Sequence, residues 1–128
     1  MTRRAISTGS PFEARIGYAR AVVQGEWCFV SGITGYDYAT MTLAHGVAAQ
    51  AEACFATLTR VLEEAGFAMA DVVRVTHYVA DRALLPDLIP VLARHLGPVR
   101  PAATMVVAGL MEEAMLYEVE ATAYRGGA

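Results

Sequence analysis

The stretch LYEVEATAY, residues 116–124, alternates apolar or small residues with polar ones and is typical of a β-strand with one buried face. Because side chains in a strand point to opposite faces in turn, Glu118 and Glu120 share one face. Such a pair has two interpretations. The face is simply exposed to solvent, or a carboxylate is held near a cleft to orient a water molecule or exchange a proton. The pattern alone does not decide between them.

Working outward from this strand, hydrophobic periodicity predicts six further elements. In chain order we expect the strands Ala19–Val23 and Trp27–Ser31, a helix from Gly46 to Ala65, the strand Asp71–Val79, a helix over Leu84–Leu96 and the strand Thr104–Ala108. Residues 1–17 are expected to be irregular, because Gly9, Ser10, Pro11 and Gly17 break regular structure, and residues 32–42 are expected to form a loop. The order ββαβαββ predicts a single α+β domain over residues 1–128, a mixed sheet with both helices on one face.

Composition excludes several function classes. The 128 residues are 55% hydrophobic and 18% charged, with a net charge of −3, so we expect a folded protein. All ten basic residues other than histidine are arginines. Without lysine there is no Schiff-base lysine, pyridoxal phosphate anchor or P-loop lysine. The acidic balance argues against nucleic acid as a partner.

The chain also shows no sign of membrane insertion or secretion. No apolar run approaches the roughly 20 residues that span a bilayer, and no apolar segment follows the basic residues Arg3 and Arg4. We therefore expect a cytoplasmic protein that does not bind membranes. Cys28 and Cys54 are expected to be small buried hydrophobic residues rather than a disulfide.

The hydrophobic fraction is larger than one small core needs, because small domains bury a lesser share of their surface. Surplus apolar surface on a small domain usually lies in a subunit interface. The composition therefore predicts an obligate homo-oligomer.

The residue types and their spacing give little support for a metal site or a catalytic nucleophile. His45, His77 and His95 are far apart in sequence and lack a second ligand at helical spacing, so no metal site is expected. Ser31 is followed by glycine but lacks the G-x-S-x-G frame. By residue type alone, Ser31 is a polar residue that satisfies the backbone where a strand stops.

Several segments together resemble the RidA (YjgF-like) family of reactive-intermediate deaminases. They are Gly17-Tyr18-Ala19-Arg20-Ala21-Val22, Phe29-Val30-Ser31-Gly32, Asp71-Val72-Val73-Arg74-Val75, Arg100-Pro101-Ala102 and Glu118-Val119-Glu120-Ala121. They occur in the family's order and at its spacing, over residues 15–124. The resemblance implies a chorismate-mutase-like fold assembled as a homotrimer, with a ligand cleft between each pair of subunits. It also implies hydrolysis of enamine or imine intermediates to a 2-keto acid and ammonia, without a cofactor or metal.

The resemblance assigns site residues by position. Tyr18 matches the family's cleft tyrosine, Ser31 its serine and Glu118 the glutamate that positions the attacking water. The family's carboxylate-binding arginine follows the Pro-Ala step, where this chain has Ala103. Losing a charged hydrogen-bond pair of this kind removes about 1.5–3 kcal/mol of binding.

Three further positions belong to the same expected cleft. Ala83 replaces the family's asparagine at the start of the second helix, and Met105, with Ala103, makes the cleft less polar. Arg100 is the nearest replacement for the missing arginine. Strand alternation, however, predicts that its side chain points to the face opposite position 103.

These observations leave three functions open. The first is a hydrolytic deaminase of altered specificity, in which Glu118 aligns water and Tyr18 and Ser31 orient the substrate. The second is a non-catalytic trimer that binds a small metabolite in its clefts. The third is an endoribonuclease, which the net charge of −3 makes the least favoured.

Overall fold

A computed structural model describes residues 2–126 as a six-stranded mixed sheet, with the two long helices on one face, and a separate two-stranded hairpin. The strands are β1 (Arg3–Ile6), β2 (Ala21–Gln24), β3 (Trp27–Thr34), β4 (Tyr36–Asp37), β5 (Thr42–Leu43), β6 (Val72–Val79), β7 (Ala102–Val107) and β8 (Tyr117–Tyr124). The helices are α1 (Pro11–Ile16), α2 (Val47–Ala65) and α3 (Leu85–Leu96). The predicted α+β class is confirmed.

The six strands of the main sheet follow the order β1-β2-β3-β8-β6-β7, and β4 pairs with β5 in a separate hairpin. Every neighbouring pair in the main sheet is antiparallel except β6 and β7, which run parallel. A parallel pair needs a crossover connection, and α3 supplies it. The last strand, β8, therefore lies between β3 and β6 in the middle of the sheet.

One face of the sheet packs on the helices and carries the core. Along β8, Tyr117, Val119, Ala121 and Ala123 are buried against that side, which includes residues of α2 such as Phe55. Glu118 and Glu120 alternate with them and are half-buried on the other face. The prediction that the two glutamates share one face is confirmed, because the period of two holds along this strand.

The prediction that residues 1–17 are irregular is wrong. β1 pairs with β2 at the edge of the sheet, and α1 follows it. Ser10 caps α1 by accepting a hydrogen bond from the Phe12 amide, Pro11 lies in its first turn, and Gly17 ends it in the left-handed conformation. These residues, which we expected to break regular structure, act as helix start and stop signals.

The predicted loop over residues 32–42 is also partly wrong. β3 continues to Thr34, and the two short strands β4 and β5 form a hairpin within the remaining segment. The chain thus stays extended past Ser31 because β8 continues to pair with it. The rest of the prediction agrees closely: α2 ends at Gly66 with a φ of 86°, and Cys28 and Cys54 are buried and not disulfide-bonded.

A buried glutamine on α2 holds the segment that leads into β8. The Gln50 side-chain amide donates hydrogen bonds to the carbonyls of Ala44 and Ala114, at 3.0 and 2.9 Å. Its Oε1 accepts one from the Leu116 amide at 2.8 Å. One side chain therefore satisfies three backbone groups from two loops and sets the position of the 109–116 segment relative to the sheet.

Gln50→Leu should lower the free energy of unfolding by about 3 kcal/mol, because leaving a buried polar group unpaired costs about 1–3 kcal/mol each. Urea denaturation measures this loss. Glu63→Ala on the exposed side of the same helix serves as the control and should change stability by no more than about 0.5 kcal/mol. Equal effects of the two substitutions would contradict the role assigned to Gln50.

Candidate active site

A bulge in β3 shapes the candidate site. Val30 pairs with Ala121 of β8 and Ile33 pairs with Val119, so Ser31 and Gly32 together face one residue of β8. Two residues opposite one is the definition of a β-bulge, which re-aims side chains and recurs next to active sites. The bulge brings the Gly32 backbone against the side chain of Glu118.

Contact between Gly32 and Glu118 leaves no room for a Cβ atom unless the Glu118 side chain moves. A Cβ atom added to Gly32 would overlap the Glu118 carboxylate. Since the φ of Gly32 is not in the left-handed region, the requirement for glycine here is steric rather than conformational. A glycine in a strand is typical of such a close approach.

Arg20 lies beneath the bulge and is fully buried. Its Nη1 donates to the Gly32 carbonyl at 2.5 Å, and its Nη2 donates to the Tyr18 hydroxyl at 3.3 Å. The guanidinium carbon lies 4.6 Å from the centre of the Tyr38 ring and 5.5 Å from that of Tyr18. Cations over aromatic faces at these distances are attracted by the ring quadrupole.

A buried carboxylate balances this arginine. Glu13 of α1 places its Oε2 at 3.7 Å from Arg20 Nε, and both side chains are almost inaccessible to solvent. The same oxygen accepts hydrogen bonds from the Thr8 amide at 3.1 Å and the Thr8 hydroxyl at 2.6 Å. Although burial acts to raise it, these hydrogen bonds and the Arg20 charge lower the pKa of Glu13 overall. Glu13 is therefore ionised at neutral pH.

Glu118 lies at the junction of two cavities on the open face of the sheet. A small one of about 50 Å³ contains Tyr18 and Tyr38, and a larger one of about 430 Å³ contains Tyr78 and Glu120. Met111 borders both cavities. The Glu118 carboxylate is thus accessible to a small molecule from a partly apolar recess.

The surroundings of Glu118 make it more basic than an ordinary glutamate. Burial raises the pKa of Glu118, the charge of Glu120 acts in the same direction, and the charge of Arg20 opposes both. Glu120 accepts a short hydrogen bond from the Tyr78 hydroxyl. A carboxylate with a raised pKa is suited to accept and return a proton near neutral pH.

The structure brings Tyr18 and Glu118 together and gives Ser31 a backbone partner. Tyr18 and Glu118 border the same small cavity. The Ser31 hydroxyl donates to the Ala19 carbonyl at 2.7 Å, and the Ser31 amide donates to the Arg20 carbonyl at 2.9 Å. The Ser31 oxygen keeps its lone pairs as an acceptor, since a hydroxyl carries one donor and two acceptor sites.

Ala103 and Met105 do not lie near Glu118 within one chain. Ala103 pairs with Val75, and Met105 with His77; both partners are buried on the helix face, whereas Glu118 lies on the open face. β7 is also two strands away from β8, a separation of roughly 10 Å. A site that combined these residues would need two copies of the chain.

The alternation argument for Arg100 does not hold. β7 begins at Ala102, and Arg100 precedes it with a φ of 54°, so the period of two from Ala103 does not extend to it. Arg100 and Ala103 instead border the same groove, of about 620 Å³, between α3 and β7. Ala83 is exposed in a short 3-10 turn before α3, and its amide donates to Asp81 Oδ1 at 2.9 Å.

Sequence reasoning missed Arg20, Glu13 and the steric role of Gly32. A signal for Arg20 was present, because a charged residue interrupts the apolar run around Ala19 and Ala21. Burial of a charge requires a partner, and Glu13 belongs to a segment expected to be irregular. The clue for Gly32 was a glycine inside a strand pattern.

His77 and His95 each lie close to another polar side chain. His77 Nδ1 lies 2.6 Å from the buried Tyr117 hydroxyl, and burial lowers the pKa of His77. His95 Nε2 lies 2.6 Å from Glu52 on the surface. Over residues 2–126, no three His, Cys, Asp or Glu side chains are grouped so that they could hold a metal ion. In the same range, no helix is long and apolar enough to span a bilayer.

Gly32→Ala should lower the free energy of unfolding by only about 1 kcal/mol, because the clashing Glu118 carboxylate can rotate away. Gly35→Ala is the matched comparison. Its added Cβ would lie 2.7 Å from the Gln50 backbone, which cannot move freely, so the loss should reach about 3 kcal/mol. Urea denaturation gives both values, and a crystal structure of Gly32→Ala should show the Glu118 carboxylate displaced. An undisplaced carboxylate would contradict the close contact.

Comparison with known proteins identifies a family. Residues 8–125 match the family described as endoribonuclease L-PSP. A RutC family protein of Pyrococcus abyssi is 30% identical over 109 residues, which are 84% of this chain and 86% of that protein.

Solved structures of proteins from this family have a similar fold. A YjgF/YER057c/UK114 family member from Mycobacterium tuberculosis superposes with a TM-score of 0.88 at 35% identity, covering 97% of this chain and all of that one. RidA from Psychrobacter sp. PAMC 21119 gives 0.85 at 30% identity, covering 95% and 99%. The chain therefore belongs to the endoribonuclease L-PSP family, the family of the YjgF and RutC proteins.

Proposed function

We propose that the protein hydrolyses an enamine or imine to a carbonyl compound and ammonia. The observation that carries this proposal is the Glu118 carboxylate held against Gly32, with a raised pKa, at a recess that also contains Tyr18. Similarity to a solved RidA structure at 30% identity supports the choice of substrate class.

The proposed reaction needs one base and no external oxidant or reductant. An enamine first takes a proton from solvent at carbon and becomes the iminium ion. Ionised Glu118 then accepts a proton from water as the water oxygen adds to the iminium carbon, which forms a neutral carbinolamine. Protonated Glu118 gives this proton to the nitrogen, and the carbon–nitrogen bond breaks as the hydroxyl proton returns to the Glu118 carboxylate, so that ammonia and the carbonyl product leave. General base catalysis of this kind contributes about 10²–10⁴-fold.

Tyr18 and Ser31 are proposed to orient the substrate. The Tyr18 hydroxyl accepts a hydrogen bond from Arg20 and can therefore direct its own proton toward a ligand. The Ser31 hydroxyl donates to Ala19, so it is left to accept a hydrogen bond from a substrate N–H group. A donor and an acceptor at fixed positions select one orientation of the C=N group.

The proposed substrate lacks a carboxylate or presents it differently from the substrates of RidA. Position 103 carries an alanine, so the arginine that the family resemblance places there is missing. The recess beside Glu118 is bordered by the apolar residues Leu110 and Met111 together with two carboxylates. An anionic group near Glu118 and Glu120 would be repelled unless a cation faced it.

We propose that three copies assemble so that the clefts lie between them. The open face of the sheet exposes a cluster of Trp27, Phe29 and Tyr124, whose rings lie 4.6–6.1 Å apart. β7 is an edge strand exposed along its whole length. An apolar edge strand of this kind favours pairing with another chain. Assembly through it would bring Ala103, Met105 and Arg100 of one copy toward Glu118 of the next.

A non-catalytic, metabolite-binding trimer is the second candidate. It is favoured by Ala103, Met105 and the exposed Ala83, which remove polar groups expected in a catalytic cleft. Ribonuclease activity is the third, because the matching family is described as endoribonuclease L-PSP. Both recesses that border Glu118 lack arginine and histidine, which does not favour RNA backbone binding.

Glu118→Gln should reduce imine hydrolysis about 100-fold or more, because the amide cannot accept the water proton. Ammonia release is measured with imines produced in situ by an amine oxidase or an amino-acid oxidase. Glu63→Gln, on the exposed side of α2, is the matched carboxylate control and should retain full activity.

Three outcomes separate the candidates. Loss of activity in Glu118→Gln alone supports the deaminase. An inactive wild-type protein whose melting temperature rises with a small metabolite supports the binding trimer, since a ligand at 100 times its Kd adds about 2.7 kcal/mol of stability. Cleavage of RNA by wild type, with no ammonia release from any imine, would replace both with the ribonuclease.

Val107→Lys should weaken the assembly, because a lysine on an exposed edge strand opposes pairing with another chain. Val107 is 46% exposed within one chain, so the substitution should leave the protomer folded. Light scattering at micromolar concentration should give a trimer for wild type and a smaller species for the variant. A monomeric wild type would contradict the proposed assembly.

A further inference from the structure

Arg20 combines full burial with direct contact to groups that form the candidate site. Long charged side chains are almost never completely buried unless they are paired, and Arg20 has no exposed surface. Its contacts are the Gly32 carbonyl, the Tyr18 hydroxyl, two tyrosine rings and the Glu13 carboxylate. Two of these contacts, at Gly32 and Tyr18, reach the residues that border Glu118.

Gly32 acts as a spacer between two opposite charges. The Arg20 guanidinium binds its carbonyl oxygen, and the Glu118 carboxylate lies where a Cβ of this glycine would be. The charges are therefore separated by a single residue of backbone with no side chain. In a partly buried setting, water screens charges less than in bulk solvent, so the two groups attract each other.

Arg20 is fixed in place from the other side. The Tyr38 ring lies 4.6 Å from the guanidinium, and the Tyr38 hydroxyl lies 3.0 Å from the Thr34 amide. Glu13 faces Arg20 Nε at 3.7 Å and is itself held by Thr8. The arginine cannot swing into the cleft without leaving these partners, so it acts through its neighbours.

We propose that Arg20 is a positioning residue, which holds the Tyr18 hydroxyl and the Gly32 carbonyl in place and sets its positive charge across Gly32 from the Glu118 carboxylate. The inference rests on the proposed function in that Glu118 is taken as the base. It concerns a residue that does not contact the substrate.

Titratable and charged groups face Glu118 from four directions. They are Arg20 from the residue before β2, Tyr18 and Tyr38 from the flanking loops, Tyr78 and Glu120 from β6 and β8, and the Cys54 thiol from α2. Among these groups, Arg20 carries the positive charge. Burial and Glu120 raise the pKa of Glu118, and Arg20 lowers it.

The experiment measures the Glu118 carboxyl directly, without reference to turnover. Wild type labelled with ¹³C at the glutamate side-chain carboxyl is titrated by NMR, and the Glu118 signal is identified by its loss in Glu118→Gln. In Arg20→Gln the Glu118 midpoint should move upward by about 1 pH unit, since an opposite charge at close range shifts a carboxyl by about 1–3. Arg15→Gln, an exposed arginine of α1, should leave it unchanged.

Arg20→Lys separates charge from geometry and covers the case in which Arg20→Gln does not fold. An ammonium group cannot reach the Gly32 carbonyl and the Tyr18 hydroxyl together, so the Glu118 midpoint should rise by less than in Arg20→Gln. A folded Arg20→Gln, or a folded Arg20→Lys in its place, with the wild-type midpoint would overturn the proposal.

Kinetics supply a second readout if imine hydrolysis is observed. Arg20→Lys and Tyr18→Phe should be non-additive in kcat/KM, because the first substitution already releases the hydroxyl that the second removes. The ascending limb of the pH profile should follow the NMR midpoint in each variant. Additive losses in kcat/KM, together with an unchanged ascending limb of the pH profile, would show that Arg20 has only a structural role. Absence of hydrolysis in wild type would reject the proposed function and leave the NMR result to decide the role of Arg20.

Discussion

The candidate site depends on one backbone irregularity, the bulge at Ser31 and Gly32 in β3. It turns the Gly32 carbonyl out of the regular ladder, and a buried carbonyl without a partner costs about 1–3 kcal/mol. Arg20 supplies that partner from within the fold. Burial of the arginine in turn requires a counter-charge, which Glu13 provides. The bulge, the buried ion pair and the position of Glu118 therefore form one connected arrangement.

Local patterns predicted those parts of the fold that depend on one element at a time. The period of two placed Glu118 and Glu120 on one face, and the helical period located α2 with its end at Gly66. α1 was missed because its Ser10 cap was interpreted as a breaker. The bulge could not be predicted from local sequence patterns, because it is a shift in register between β3 and β8, which are distant in sequence.

The site residues expected from the sequence fall into two groups, one near Glu118 and one distant from it. Tyr18 and Glu118, expected from the family resemblance, border one recess. Ala103 and Met105 lie on the far side of the sheet and Arg100 beside them, so one chain alone does not bring the two sets together. That division agrees with the proposed clefts between copies. The proposed assembly would also cover two exposed apolar surfaces, the edge strand β7 and the aromatic cluster on the open face.

The central claim is that an ionised Glu118 with a raised pKa activates water at this site. The most direct measurement is the wild-type pH profile of imine hydrolysis, corrected for the spontaneous rate at each pH. We expect a rate that rises with pH through a single ionisation above the usual glutamate range, because burial and Glu120 outweigh Arg20. A corrected rate of zero at every pH, or one that does not depend on pH across that range, would contradict it.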